Sequence, residues 1–190
     1  TSTMYALDVN GNIDSTTSNI TVLDTISPVI NCQDTTIYLN SSGQFQINSN
    51  YISGVITDNC GIQNIWTNDT LFTCGNIGVN SATLYATDVN GNIDSCIATV
   101  TVLDTLTPVV TCNDTTIYLD ATGQYTIDTS FVFTSATDNC GIDSIWTNDT
   151  LFTCANIGVN TAIVYARDVN GNVDSCSATV TVLDTVSPTV

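Results

Sequence analysis

The stretch SATLYATDVNGNIDSCIATVTVLDT (81–105) carries two runs of alternating apolar and small polar residues on either side of Asn90-Gly91. Alternation with a period of two marks a strand with one buried face rather than a helix. In the second run Val100 and Val102 fall on one face and Thr99 and Thr101 on the other. The valines are expected to face a core and the threonines water. Asn-Gly accepts positive φ at both central positions of a type I′ turn more readily than other pairs. The stretch therefore predicts a β-hairpin turning at Asn90-Gly91.

The same text recurs. DVNGNIDS stands at 8–15 and 88–95, and DVNGNVDS at 168–175, each eighty residues from the last. TVLDT occurs at 21–25, 101–105 and 181–185, TDNCGI at 57–62 and 137–142, and IWTNDTLFTC at 65–74 and 145–154. A fixed period is the signature of tandem units. The reading divides the chain into the C-terminal part of one repeat (1–25), two complete repeats (26–105 and 106–185) and the start of another (186–190). It looks like a section of a longer array. The joins fall in LDT-x-(S/T)-P, where Pro28, Pro108 and Pro188 remove a backbone donor and stiffen the chain.

Within a repeat, TTIYLN (35–40), GQFQIN (43–48), NIWTN (64–68) and TLFT (70–73) add further short strands. Leu7, Thr87 and Arg167 share one equivalent position, so that face tolerates a charge and is expected outside, with Ala6, Ala86 and Ala166 pointing inward. Six or seven strands in about eighty residues predict an all-β chain of tandem immunoglobulin-like β-sandwich repeats in an extended rod. Trp66 and Trp146 are expected in the core of a central strand; exposed, they would be the residues to stack on a sugar.

Composition narrows the chemistry. All 18 acidic residues are Asp, Arg167 is the sole basic side chain, Lys and His are absent, and the net charge is −17. Nothing here neutralises phosphates, which argues against nucleic acid and against anionic membranes. Without His there is no imidazole base or ligand, and without Lys no Schiff base. The Asp residues sit in repeated turns, where one unique active site is not expected, so the chain reads as a non-enzyme. Plentiful Val, Ile, Leu and aromatic residues supply a core despite the charge. No apolar run approaches the roughly 20 residues that span a bilayer.

Each complete repeat has four cysteines: Cys32, Cys60, Cys74 and Cys96, then Cys112, Cys140, Cys154 and Cys176. An even, regular set implies disulfides and an oxidising compartment. Zinc would want closer pairs than these spacings offer. Cys60 and Cys74 bracket an expected hairpin turning at Asn68-Asp69. Cys32 and Cys96 precede the first and last strands, which often lie parallel in such sandwiches. The favoured pairs are Cys60–Cys74 and Cys32–Cys96, repeated as Cys140–Cys154 and Cys112–Cys176, with Cys32–Cys60 as an alternative. The partial repeat has Thr16 where Cys96 would fall.

The turn also suggests a cation. Asp88, Asn90, Asn92 and Asp94 alternate as oxygen ligands do in calcium loops, although the glycine spacing and the missing Glu exclude an EF-hand. The last strand must end facing the next repeat, so its preceding turn faces the previous one. If the second strand returns to that pole, Asp58 joins it near Asp24 of the incoming linker; the alternative is a set of solvated turn and capping aspartates. The candidate Ca2+ set is Asp24, Asp58, Asp88, Asn90, Asn92 and Asp94, and in the next repeat Asp104, Asp138, Asp168, Asn170, Asn172 and Asp174.

TDNCGI, ATDVNGNIDSC-x-ATVTVLDT and the following SP-x-x-x-C resemble the hyalin repeat (HYR) family, whose members form immunoglobulin-like modules of extracellular adhesion proteins. The form with LFTCGNIGVN (71–80) is most similar to repeats of giant surface adhesins in gliding bacteria. The resemblance implies no catalytic residues. It implies O-glycans at Asp-(Ser/Thr) sites, here Thr25, Thr35, Thr70, Thr105, Thr115, Ser144, Thr150 and Thr185. Asn68, Asn113 and Asn148 fit the N-glycosylation pattern. The expectation is a structural segment of an extracellular cell-surface filament, with neighbouring repeats of the same chain as partners. The rival expectations are a carbohydrate- or protein-binding module with surface or glycan ligands, and an accessory domain of a secreted enzyme.

Overall fold

Two-residue alternation becomes strands throughout the computed structural model, which describes residues 1–188. Thr189 and Val190, the end of the segment expected to start a further repeat, lie outside the described residues. The chain opens with a hairpin, β1 (Ser2–Leu7) and β2 (Ile13–Ser18). A first unit follows: β3 (Val29–Cys32), β4 (Thr35–Tyr38), β5 (Gln44–Gln46), β6 (Ser53–Thr57), β7 (Ile62–Thr67), β8 (Leu71–Thr73), β9 (Gly78–Asp88) and β10 (Ile93–Leu103). The second unit repeats these elements as β11 (Val109–Cys112), β12 (Thr115–Tyr118), β13 (Gln124–Thr126), β14 (Phe133–Thr137), β15 (Ile142–Thr147), β16 (Leu151–Thr153), β17 (Gly158–Asp168) and β18 (Val173–Leu183). Four short 3-10 turns complete the described elements.

Each unit is a sandwich of immunoglobulin type. One layer is the four-stranded sheet β4-β10-β9-β7, with β4 parallel to β10 and the other pairs antiparallel. The opposing layer is made of two antiparallel pairs, β3–β6 and β5–β8. Leu84, Ala86, Ala98, Val100 and Val102 of the large sheet pack with Ile30, Ile37, Ile52 and Phe72 in one cluster. The second unit repeats this around Ile117, Val132, Phe152, Val164, Val180 and Val182. Each fully buried aliphatic chain contributes about 1.5–3 kcal/mol of transfer free energy. Arg167 lies outside, pairs with Asp143 across the β15–β17 edge, and leaves Ala166 buried. Ala6 is exposed in the opening hairpin.

The structure departs from three of these expectations. First, β7 and β8 do not form a hairpin at Asn68-Asp69. β7 pairs with β9 and β8 with β5, so the chain crosses from one layer to the other. The Asp69 carboxylate accepts from the Thr83 N–H (2.9 Å) and ties the crossover to β9.

Second, the turn after β9 is not type I′. Among the described residues only glycines have positive φ, and here it is Gly91 at 93°. The Asp88 side chain accepts from the backbone N–H of Asn90 and Asn92, each at 2.8 Å. Gly91 N–H bonds to Asp88 C=O and Asp88 N–H to Asn92 C=O. This is a three-residue loop with a left-handed glycine, and the aspartate holds Asn90 in an ordinary conformation.

Third, Trp66 and Trp146 are not in the core. β7 and β15 are edge strands of the large sheets, and each tryptophan stacks half-buried on the outer face against Tyr85 or Tyr165, at centroid distances of 5.4 and 5.3 Å.

Candidate metal centre

Both complete units receive the incoming chain at one pole. There the loop after β6 (TDNC), the turn after β9 and the LDT segment of the preceding unit come together. Asp24, Asp58 and Asp88 each place a carboxylate oxygen within 4.8 Å of the other two, and Asp104, Asp138 and Asp168 do the same eighty residues on. Oxygens that share one Ca2+ at about 2.3–2.6 Å lie within about 5 Å of one another, so this spacing fits a single ion.

Local chemistry positions each carboxylate. Asp88 is fully buried, and its Oδ1 is committed to the loop amides. Its Oδ2 takes the Asn92 side-chain amide at 2.7 Å. Burial works to raise the Asp88 carboxyl, but the hydrogen bonds from Asn92, Asn90 and Gly91 outweigh it and hold the group below its ordinary 3.8. Asp58 caps its own loop by accepting from the N–H of Cys60 and Gly61, and Asp138 does so for Cys140 and Gly141. Asp24 accepts from Ile26 N–H and from the Asn59 amide, and the Ile26 bond is the main cause of its lowered pKa. Asn92 reaches back to the linker, donating to the carbonyls of Asp24 and Ile26, each at 3.2 Å.

The second oxygen of several carboxylates has no protein partner. Asp24 Oδ2, Asp58 Oδ2, Asp104 Oδ2 and Asp138 Oδ2 are buried and unpartnered, as are Asn139 Oδ1 and Asn170 Oδ1. Buried acceptors are normally satisfied, and oxygens gathered in this way have the chemistry to take a cation. The donors at the cluster are all oxygens, which suits a hard ion such as Ca2+ and not zinc or copper. The second junction is more enclosed. Asp104 is only 8% exposed, whereas Asp24 is half-buried. Asn139 donates to Asp104 Oδ1 (3.1 Å) and to the Asn40 carbonyl of the first unit (3.3 Å).

Of the expected ligands, the structure brings together Asp24, Asp58 and Asp88, and Asp104, Asp138 and Asp168. Asn92 and Asn172 act as donors that brace the cluster, Asn172 through the Asp104 carbonyl and Asp168. Asp94 and Asp174 are not part of it; they are exposed and bond their own next residues, Ser95 and Ser175. They lie in strands β10 and β18, past the turn, level with Ala86 and Ala166 of the neighbouring strands. Asn90 is exposed at the loop tip. Sequence reasoning misses Asn59 and Asn139; their place directly after a loop-capping aspartate is the only signal they leave.

The disulfides change the picture of the junction. Cys32 bonds Cys96 and Cys112 bonds Cys176 within their units. The expected Cys60–Cys74 and Cys140–Cys154 pairs do not form. Cys74 instead bonds Cys140 of the next unit, with Cα atoms 5.4 Å apart, while Cys60 and Cys154 are free and exposed. The reason is the layer crossing: without a β7–β8 hairpin, Cys60 sits at the pole beside Asp24 and Cys74 at the pole facing the following unit. Hydrogen bonding with Asp24, then burial and the nearby aspartates, hold the Cys60 thiol above its ordinary 9.0.

The aspartates of the expected glycosylation sites have structural work. Asp34 and Asp114 accept from Thr99 and Thr179 N–H, each at 2.7 Å, and Asp149 from Ile163 N–H. Thr25, Thr105, Thr150 and Thr185 are exposed, and Thr35, Thr70, Thr115 and Ser144 are half-buried.

Residues 103–182 match the family model described as the HYR domain. Over this segment the chain is similar to the HYR domain. The segment as matched contains Asp104, Asp138 and Asp168 together, so the junction cluster is assembled from the residues of one domain span, linker included. A comparison with curated proteins finds no match. Among solved structures the chain is similar to fibronectin(III)-like modules of Clostridium thermocellum CbhA, at 14% identity, 83% of this chain, 94% of that one and a TM-score of 0.32. It is also similar to human mucin-like protocadherin EC1-2, at 11% identity, 83% and 98% coverage and a TM-score of 0.34. A third likeness is protocadherin gamma C5 EC1-3, at 14% identity, 91% and 73% coverage and a TM-score of 0.36. At such scores these likenesses bear on neither the chain's site nor its function.

Proposed function

We propose that the chain is a length of an extracellular, cell-surface filament, built of end-to-end β-sandwich units whose junctions bind Ca2+, and that it works by reach and stiffness rather than by catalysis. The observation that carries this reading is the three-aspartate cluster at each junction, with buried carboxylate oxygens left unpartnered. Asp24 and Asp104 come from the linker, and the other two aspartates from the unit that follows. An ion held by all three fixes the linker to the unit. A chain with no Lys and a charge of −17 also repels its neighbours, which keeps such filaments apart. The regular cystines fit an oxidising, extracellular setting. Bacterial origin, a part in gliding and O-glycosylation at the Asp-(Ser/Thr) sites rest on the sequence resemblance.

Isothermal titration of the metal-free chain tests the calcium. Two sites are expected, with D138N abolishing one and leaving the other. Ligand that binds only the folded form at 100 times its Kd adds about 2.7 kcal/mol of stability, so EDTA is expected to lower the melting temperature clearly. Absence of binding, or heat unchanged by D138N, removes calcium from the junctions. The binding-module reading gains a surface from the outward Trp–Tyr stacks, and a glycan array on the intact chain tests it.

A further inference from the structure

We propose that the Cys74–Cys140 bridge is one link of a repeating covalent series, and that Cys154 and Cys60 are its open halves, each built to bond the equivalent cysteine of an abutting copy of the same unit. The inference goes beyond the filament reading and stands without the cation.

The closed link defines both halves. Cys74 opens the 3-10 turn Cys74–Asn76, which is capped by Thr73 and Asn76. Its sulfur lies 3.6 Å from the Gly43 carbonyl and 3.4 Å from the Asn139 carbonyl of the next unit. Gly43 has φ +70°, and a Cβ there would sit 2.7 Å from both Cys74 Sγ and Asn139 O, so the bridge lies against a glycine. On the other side, Cys140 sits in the loop capped by Asp138, with its N–H on the carboxylate at 2.8 Å.

The free cysteines reproduce these settings. Cys154 opens the turn Cys154–Asn156 with the same Thr153 and Asn156 caps, and its sulfur lies 3.6 Å from the Gly123 carbonyl. Gly123 has φ +75°, and a Cβ on it would meet Cys154 Sγ at 2.6 Å. Cys60 N–H bonds Asp58 at 2.8 Å, as Cys140 does Asp138. Both thiols are exposed, at opposite poles of the two-unit body, so they do not reach one another. Each pole therefore presents one finished half of the bridge seen between the units.

Closing a link removes the thiol hydrogens of a Cys154-type and a Cys60-type residue and joins their sulfurs. The two electrons and two protons pass to a small-molecule disulfide such as oxidised glutathione, which leaves as two thiols.

The test maps the cystines in two chains folded in a glutathione redox buffer containing EDTA. Free thiols are alkylated before reduction, and bonded ones with a second reagent afterwards. In the 190-residue chain, Cys60 and Cys154 are expected to take the first label and the other six cysteines the second. In a chain extended after Thr185 by a further copy of residues 106–185, Cys154 is expected to lose the first label. It should then appear in a peptide crosslinked to the added unit's copy of Cys140. Gly123→Ala in the extended chain is expected to reduce that crosslink while Cys112–Cys176 still forms, which shows that the fold of the substituted unit is kept. If the 190-residue chain shows no free thiol, bridges close within units and the proposal fails. It fails equally if Cys154 keeps its first label in the extended chain. Because EDTA is present, either failure leaves the calcium reading untouched.

Discussion

At the scale of single residues, the two units act as controls for each other. Asn40 and Asn48 in the first unit have Asp120 and Asp128 as counterparts in the second, and all four cap backbone N–H groups at the same places. Hydrogen bonds from Thr122, led by its hydroxyl, and from Ser130 hold the Asp120 and Asp128 carboxyls below 3.8. A depressed folded pKa gives stability that is present above the unfolded value and lost as pH falls through the folded one. The second unit is thus expected to lose stability below about pH 3.8, where the asparagine caps of the first do not titrate. D120N/D128N should flatten the pH dependence of melting there and change it little at about pH 7, where both carboxylates are ionised. Equal acid sensitivity in the double variant would contradict this. Gly91 gives a second residue-scale expectation. A Cβ there meets nothing within 4 Å, so the cost of Gly91→Ala is that of positive φ alone. About 1–2 kcal/mol is expected, read from a urea transition.

At the scale of elements, the edge strands β7 and β15 decide what the aromatic residues do. Trp66 lies opposite Tyr85 in the β7–β9 register, on the face opposite Leu84 and Ala86. Half-exposed on an outer face, both tryptophans are expected to be quenched by acrylamide in the folded chain, and Tyr85→Ala should increase the quenching of Trp66. Resistance to quenching comparable with a buried indole would contradict the outward placement. The long hairpin β9–β10 is fastened to the opposing layer by Cys32–Cys96, a separation of 64 residues, which in the chain-entropy view is worth about 4 kcal/mol.

At the scale of the molecule, two things join one unit to the next, the linker that ends in buried Pro108 and the Cys74–Cys140 bond, and the acidic cluster lies at the same junction. Gly43 lies at the contact, and Gly43→Ala would push against Asn139 and Cys74. The variant is expected to keep both units folded but to broaden the distribution of end-to-end distances in small-angle scattering, as C74S should. Unchanged scattering in both would show that the bridge contributes nothing to stiffness.

The sequence by itself determined the β-sandwich unit, its period and its inner face. Alternation and repetition are local properties, and Ala86, Val100 and Val102 can be placed from them alone. The direction of the last strand also placed its turn, with Asp88, at the incoming pole, whereas the arrival of Asp58 there depends on how β6 pairs with β3. Only the tertiary structure decided which strands pair. That choice turns on burial between layers, not on the turn residues Asn68 and Asp69, and it sends Cys74 to the next unit instead of back to Cys60. It likewise decided which oxygens remain unpartnered, since that depends on what the preceding unit covers.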